Sequence, residues 1–532
     1  MADETVTRWL FGDQLGPHFT DDHDGPLLLI ESKAVFRRRR YHRAKAHLIL
    51  SAMRHRAAEL GERITYLRTE TYREALAQIE GPLEVMQPTS FAAVAFVDRL
   101  AEERAINRLP ARGYMTSRDE FIRWVSSRGS RRLLMEDYYR DARRRFGVLL
   151  DDGGPVGGQW NYDAENREPP PKGKETLGVP EPWWPEEDAI DAEVRRDLDR
   201  WVAEGVRFVG DDGPRLFAAT PAEANQALDH FLLTRLGTFG DYEDAMLAGD
   251  PWMAHSMMSA TWNLGLADPA DAVAAAERAY RSGAVPLSSA EGFIRQVMGW
   301  REYMWHLYWH FGDDYRNSNA LEADEDIPGW FLDLDGTATE ARCLSDVLSG
   351  VSVRGWVHHI PRLMVLGGYA LQRGWNPRRV AEWFHRSFID GYDWVMVANI
   401  VGMSQHADGG RLATKPYASG GAYINRMSDY CGDCVFDPKV RVGANACPYT
   451  AGYWYFLDKH RERFGRNHRM RRPLQGLDRL GDIDAVVAQE AERGSSPPRL
   501  TTGGPAPTGS APRGSAGAVR ASTKPAPVRE VE

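Results

Sequence analysis

The spacing of apolar residues changes its period once along this 532-residue chain, which excludes one uniform architecture. In the first third, the short runs TVTRWLF, PLLLIES, RITYLRT and FAAVAFV are rich in β-branched and aromatic residues and read as strands. Between the second and third, YHRAKAHLILSAMRHRAAELGE (41–62) sets Ile49, Met53, Ala57 and Leu60 at helical spacing and stops near Gly61. Strands alternating with helices predict a parallel sheet. No GxGxxG loop is present, so no dinucleotide is expected in this part.

From about residue 221 the pattern is helical. EGFIRQVMGWREYMWHLYWHFG (291–312) spaces Phe293, Val297, Trp300, Met304 and Leu307 four and three apart, which is one buried face. The passage from about 150 to 220, with GGPVGGQWN and REPPPKGK, reads as an irregular surface linker. SSPPRLTTGGPAPTGSAPRGSAG near the end buries too little apolar surface to fold. The expected organisation is an α/β domain (1–135), a linker (136–220), an all-helical domain (221–486) and a disordered tail (487–532).

A net charge of −9 argues against a general nucleic-acid coat. Arginines nevertheless gather in FRRRRYH (36–42), DARRRFG (141–147) and RERFGRNHRMRR (461–472), each either a solvated helix face or a phosphate-contacting surface. No segment reads as a signal peptide or as a membrane span of about 20 apolar residues. A cytoplasmic monomer without membrane contact is expected, in a compartment where disulfides are disfavoured.

Only four cysteines occur: Cys343, Cys431, Cys434 and Cys447, the last three as Cys-x2-Cys-x12-Cys with Pro448 following. A Cys-x2-Cys pair brings two thiolates to one metal centre, and two more complete a four-sulfur set. An iron–sulfur cluster, a structural zinc and four packed thiols all use such residues, and spacing alone does not separate iron from zinc.

Around these cysteines, TKPYASGGAYINRMSDYCGDCVFDPKVRVGANACPYTAGYWYF (414–456) resembles the signature of the iron–sulfur bacterial cryptochromes and photolyases, the class that contains prokaryotic (6-4) photolyases. The resemblance continues through FGDQL (11–15), SAMRH (51–55), PVGGQWNYDAENR (155–167), EGFIRQVMGWREYM (291–304), HHIPRLMV (358–365) and GMSQHADGG (402–410). It implies a Rossmann-like α/β antenna domain and a helical domain holding a U-shaped FAD. Cys343, Cys431, Cys434 and Cys447 would then ligate a [4Fe–4S] cluster. The resemblance places flavin contacts at His255, Ser256 and Ser259, at Glu291, Arg295, Trp300 and Arg301, and at Asp393 and Asn399. Arg301 and Glu302 could equally form a structural ion pair.

His358 and His359 match the pair that sits at the lesion pocket of the (6-4) class, and histidine has the pKa to move a proton near neutrality. The expected activity is light-driven repair of UV-damaged DNA as a (6-4) photolyase, with a cryptochrome-type blue-light sensor as the alternative. A non-photochemical iron–sulfur flavoprotein that binds nucleic acid is a further rival. Trp383, Tyr417 and Tyr423 fall where relatives carry electrons to the flavin, or fill a core. Relatives have tryptophan at Asp335, tyrosine at Phe384 and acidic residues at Val35 and Met396, while Asp13 is retained. A ribolumazine antenna is therefore less firmly implied than FAD.

Overall fold

The computed structural model describes residues 6–500. Five parallel strands, β1 (Thr7–Leu10), β2 (Leu27–Ser32), β3 (Ile64–Thr69), β4 (Leu83–Met86) and β5 (Ile106–Leu109), form one sheet in the order β3-β2-β1-β4-β5. This is the Rossmann-like layer expected, with β2 buried at every residue. FAAVAFV, however, is not a strand. It begins the helix Phe91–Ala101, whose N-cap Ser90 accepts a hydrogen bond from Ala93 N. Three alanines and a good cap outweigh the branched residues, and a short apolar run cannot be assigned by period alone. The strands β4 and β5 come from LEVM and INRL, which were not singled out.

The helix Arg43–Leu60 stops at Gly61, whose φ of +56° suits glycine. Its burial is wider than one stripe. Ala46, Leu50 and Met53 are buried, Ile49, Ala57 and Leu60 only half-buried, and Lys45, His47 and Arg54 are buried as well. The cause is cover on two sides. The helix lies against β2 and β3, packs on the helix Ala189–Ala203, and is tied to the helical body, where Lys45 Nζ donates to His385 O at 2.7 Å.

The passage 136–220 is less irregular than its glycines and prolines predict. The helix Met135–Phe146 buries Met135, Tyr138, Tyr139 and Ala142 in one core with Phe293, Val297 and Met304. The helix Ala189–Ala203 has a capping box between Asp188 and Asp191 and buries Val194, Leu198 and Trp201. Helices then continue to Arg493. None of the described helices is long and apolar enough to cross a membrane.

The tail expected to be disordered from 487 begins inside the helix Ile483–Arg493. Beyond it, Trp330 Nε1 donates to Ser495 O at 3.1 Å, Glu340 N to Pro498 O at 2.8 Å, and Arg499 Nε to Ala338 O at 2.7 Å. The apolar-poor composition hid a segment held by backbone hydrogen bonds and by the buried Arg373–Glu490 ion pair (2.6 Å). Residues 501–532 lie outside the described part.

Candidate functional site

The helical body encloses a cavity of about 980 Å³, at the upper end of the range for cofactor sites. Three π-helical stretches wall it: Arg295–Arg301, Pro361–Gly367 and Val397–Ser404. Such turns leave the i→i−4 ladder and recur at functional sites. One residue departs from the sequence reading. Phe293, Val297, Met304 and Leu307 are buried as expected, the first three against the cavity itself, whereas Trp300 is only half-buried on its wall.

His358 and His359 both line this cavity, yet they are different groups. His358 is 3% exposed and stacks on His255, with ring centroids 4.3 Å apart at 24°. Burial and then the neighbouring rings drive its pKa well below the ordinary histidine value. His359 faces the open cavity and is water-accessible although protein surrounds it. Its pKa is pushed down to about 4, by desolvation first and then by the Arg362 cation. Both rings are neutral at pH 7 in the free protein.

Beside them lies a buried ion pair that sequence reasoning missed. Arg362 donates from Nη1 and Nη2 to the two oxygens of Asp390 at 2.8 and 3.0 Å, and from Nε to Val357 O at 2.6 Å. Ser259 Oγ donates to Asp390 Oδ2 at 2.6 Å, and Asn263 Nδ2 to Asp390 O at 2.9 Å. Burial alone would raise the pKa of Asp390, but Arg362 and Ser259 hold it below the usual value.

The expected flavin contacts divide. His255, Ser256, Ser259, Arg295, Trp300, Arg301 and Asn399 line the cavity. Glu291 and Asp393 do not reach it. Glu291 is fully buried, accepts from Tyr162 N at 3.0 Å and pairs with Arg295 at 3.6 Å, so it positions that arginine. Asp393 pairs with Arg316 (2.7 Å) and accepts from Tyr308 Oη (2.9 Å), leaving Asp390 at the cavity instead. Arg301 does both things the sequence allowed: it pairs with Glu302 at 3.7 Å and lines the cavity. Tyr417 and Tyr423 are half-buried on the wall, whereas Trp383 is in the core behind it.

Glu243, which the sequence did not single out, also lines the cavity. Burial pushes its carboxyl up to about 8 against the pull of Arg295, 3.6 Å away. Arg295 Nη2, Arg301 Nε, His255 Nε2, His358 Nδ1 and Trp262 Nε1 are buried in residues of the wall without a hydrogen-bond partner. A large, largely apolar space with convergent unpaired polar groups fits FAD.

The four cysteines line a second, small cavity. Cys343 lies in the first turn of the helix Arg342–Arg354, Cys447 caps the helix Pro448–Lys459, and Ile424, Phe436 and Tyr449 enclose them. No three of their sulfurs lie within 4.8 Å of one another. Burial first, and mutual repulsion second, push the Cys431 thiol up to about 12, and Cys343 is raised by the same causes. A Cβ added at Gly421 would stand 2.9 Å from Cys447 Sγ. In the α/β layer, Asp13 accepts from Thr89 Oγ1 and is pushed up to about 6 by burial, while Val35 is half-buried.

The first two basic runs are partly paired within the chain: Arg37 and Arg40 with Glu70 and Asp333, Arg145 with Asp141, and Arg143 buried against Leu149 O (2.6 Å), while Arg38, Arg39 and Arg144 are exposed. In the third, Arg466, Arg469, Arg471 and Arg472 are exposed.

Two solved structures share this fold. A bacterial class III photolyase from Agrobacterium tumefaciens has a TM-score of 0.54 at 15% identity, covering 92% of this chain and 98% of its own. A Synechocystis sp. PCC6803 cryptochrome has a TM-score of 0.53 at 13% identity, with coverage of 92% and 98%. The architecture is thus that of the photolyases and cryptochromes. Residues 8–206 match the family described as deoxyribodipyrimidine photo-lyase-related protein. A curated (6-4) photolyase of Agrobacterium fabrum is 38% identical over 498 residues, 89% of this chain and 95% of that protein. The chain belongs to the (6-4) photolyase family.

Proposed function

We propose that this protein is a light-driven DNA repair enzyme that reverses pyrimidine–pyrimidone (6-4) photoproducts. The observation that carries the reading is His359, presented to an open cavity that fits FAD, in a chain 38% identical to a (6-4) photolyase along nearly its whole length. FAD, when bound and reduced, supplies the light-driven electron. The chain's own residues supply position and protons. A lesion base must leave the duplex to reach such a pocket, and the exposed Arg466, Arg469, Arg471 and Arg472 offer phosphate contacts, Arg469 near the wall residue Tyr417.

His359 is the proton donor of this proposal and His358 the orienting partner. The neutral His359 gains affinity for a proton when the phosphates of bound DNA bring negative charge to the cavity, against the opposing Arg362. His358, held by stacking on His255, lines the same cavity and would orient the lesion. Ser256, Ser259, Arg295 and Asn399 would hold the flavin, with Asp390 fixing Ser259.

Cys343, Cys431, Cys434 and Cys447 would hold a [4Fe–4S] cluster. A structural zinc ion could be held by the same four thiolates, and metal analysis of the purified protein separates the two. Binding would remove the thiol protons that burial favours and tie residue 343 to residue 447. For a ribolumazine antenna, the buried Asp13 would be the anchoring carboxyl. The reading is of a cytoplasmic monomer.

The test is an oligonucleotide with one (6-4) lesion, exposed to flavin- and iron-loaded protein under blue light and in the dark. Light-dependent return of two intact pyrimidines, lost in His359→Ala and reduced in His358→Ala, is expected. No repair by fully loaded protein overturns the proposal and leaves light sensing in its place.

A further inference from the structure

Trp383 is poorly placed to carry electrons to the cavity. It does not line the wall, and its aromatic neighbours are all phenylalanines: Phe331 at 4.6 Å, Phe384 at 4.9 Å and Phe388 at 6.0 Å between centroids. A benzene ring is far harder to oxidise than an indole or a phenol, so a hole on Trp383 has no next carrier among these rings.

Elsewhere the structure holds an unbroken row of indoles. Trp394 lines the cavity five residues before Asn399. Trp305 lies 5.5 Å from Trp394 and 5.4 Å from Trp309, centroid to centroid, at 88° and 78°. Edge-to-face rings at these separations are in van der Waals contact. Trp309 is 8% exposed, with the exposed Arg118 over its ring at 5.8 Å. Tyr114 stacks flat on Trp305 at 3.9 Å and 10°, which spreads positive charge over two rings.

The local charges favour outward movement of a hole. Arg301 stands 5.4 Å from Trp394 and 4.6 Å from Tyr114, so its cation disfavours positive charge on Trp394 and on the Tyr114–Trp305 pair, relative to Trp309. Arg118, being exposed, is screened by water and salt. The inner end is therefore the worse resting place.

We propose that Trp394, Trp305 and Trp309 form the electron route that recharges the cavity from solution, in place of a route through Trp383. The proposal rests on the flavin reading above. One electron passes from Trp394 to the light-excited oxidised flavin, one from Trp305 to Trp394, and one from Trp309 to Trp305. A dissolved thiolate then returns one electron to Trp309. Two thiyl radicals so formed join as one disulfide, so two thiols are oxidised for two electrons delivered, and their protons go to water.

The experiment follows flavin bleaching under blue light in anaerobic, flavin-loaded protein with dithiothreitol as the thiol. Trp305→Phe and Trp309→Phe are expected to slow photoreduction at least about tenfold. Trp309→Tyr, which keeps an oxidisable ring, recovers part of the rate. Trp383→Phe stays within about twofold of the parent. Bound flavin and melting temperature, measured on each variant, separate a broken route from a broken fold. Full-rate photoreduction in both Trp305→Phe and Trp309→Phe overturns the route, whatever Trp383→Phe does. Repair by chemically reduced parent protein tests the proposed function separately, since that electron needs no tryptophan.

Discussion

Asp390→Asn removes the charge that orders one wall of the cavity. In the parent, the Asp390 carboxylate takes both terminal nitrogens of Arg362, with side chains 5% and 13% exposed, and also the Ser259 hydroxyl. Breaking a buried pair by removing one partner costs about 3–5 kcal/mol. The lower end, about 3 kcal/mol, applies here, because Arg362 borders an open cavity and can turn to water. Ser259 loses its charged acceptor at the same time, and affinity for FAD should fall about tenfold, or about 1.4 kcal/mol. Urea unfolding gives the first quantity and fluorescence titration with FAD the second. Arg362→Gln alone should lose a similar stability, and the double variant much less than the sum, because the second change strands no charge. Additive losses, or Asp390→Asn within about 1 kcal/mol of the parent with unchanged flavin affinity, refute the reasoning.

Two further outcomes are expected. Acid should weaken the fold before it protonates ordinary carboxylates. His306, stacked on Phe121 and bonded to Thr116 O, is pushed down to about 3 by burial, and His385 to about 4. The unfolded chain protonates them near 6.5, so between about pH 6.5 and 4 it binds more protons than the folded state. Stability falls with pH across that window, by up to about 1.4 kcal/mol per pH unit for each histidine. A urea midpoint unchanged from pH 7.5 to 5 would contradict this. Separately, under the proposed cluster, deletion from Ile483 onward should speed loss of iron to a chelator, because Gln489 bonds both Arg441 O and Gly443 N in the loop between Cys434 and Cys447. Deletion from Thr501 onward should not. Equal iron release from both truncations refutes that bracing role.

Much of the site was legible because its signals are local. Three cysteines in seventeen residues, adjacent histidines at 358 and 359, and a helix stopped by Gly61 are visible without a fold. The four cysteines do line one cavity, and both histidines reach the other. What failed was facing. The resemblance placed flavin contacts at Asp393 and Glu291, but packing turns Asp393 to Arg316 and Glu291 to Arg295, and Asp390, which was not singled out, lines the cavity. DGYD offers two carboxylates three residues apart, and only the packed wall distinguishes them.

The sequence by itself determined the order of the two kinds of structure, the grouping of the cysteines and the family. Those depend on residue identity, period and spacing, which are properties of neighbours along the chain. The tertiary structure decided that residues 487–500 are docked and which indoles touch. Each depends on partners more than 90 residues away in the chain: Pro498 against Glu340, Trp394 against the cavity formed with Arg301 and His255. Propensity is worth tenths of a kcal/mol per residue, whereas burial against such partners is worth whole ones, so the distant contacts win.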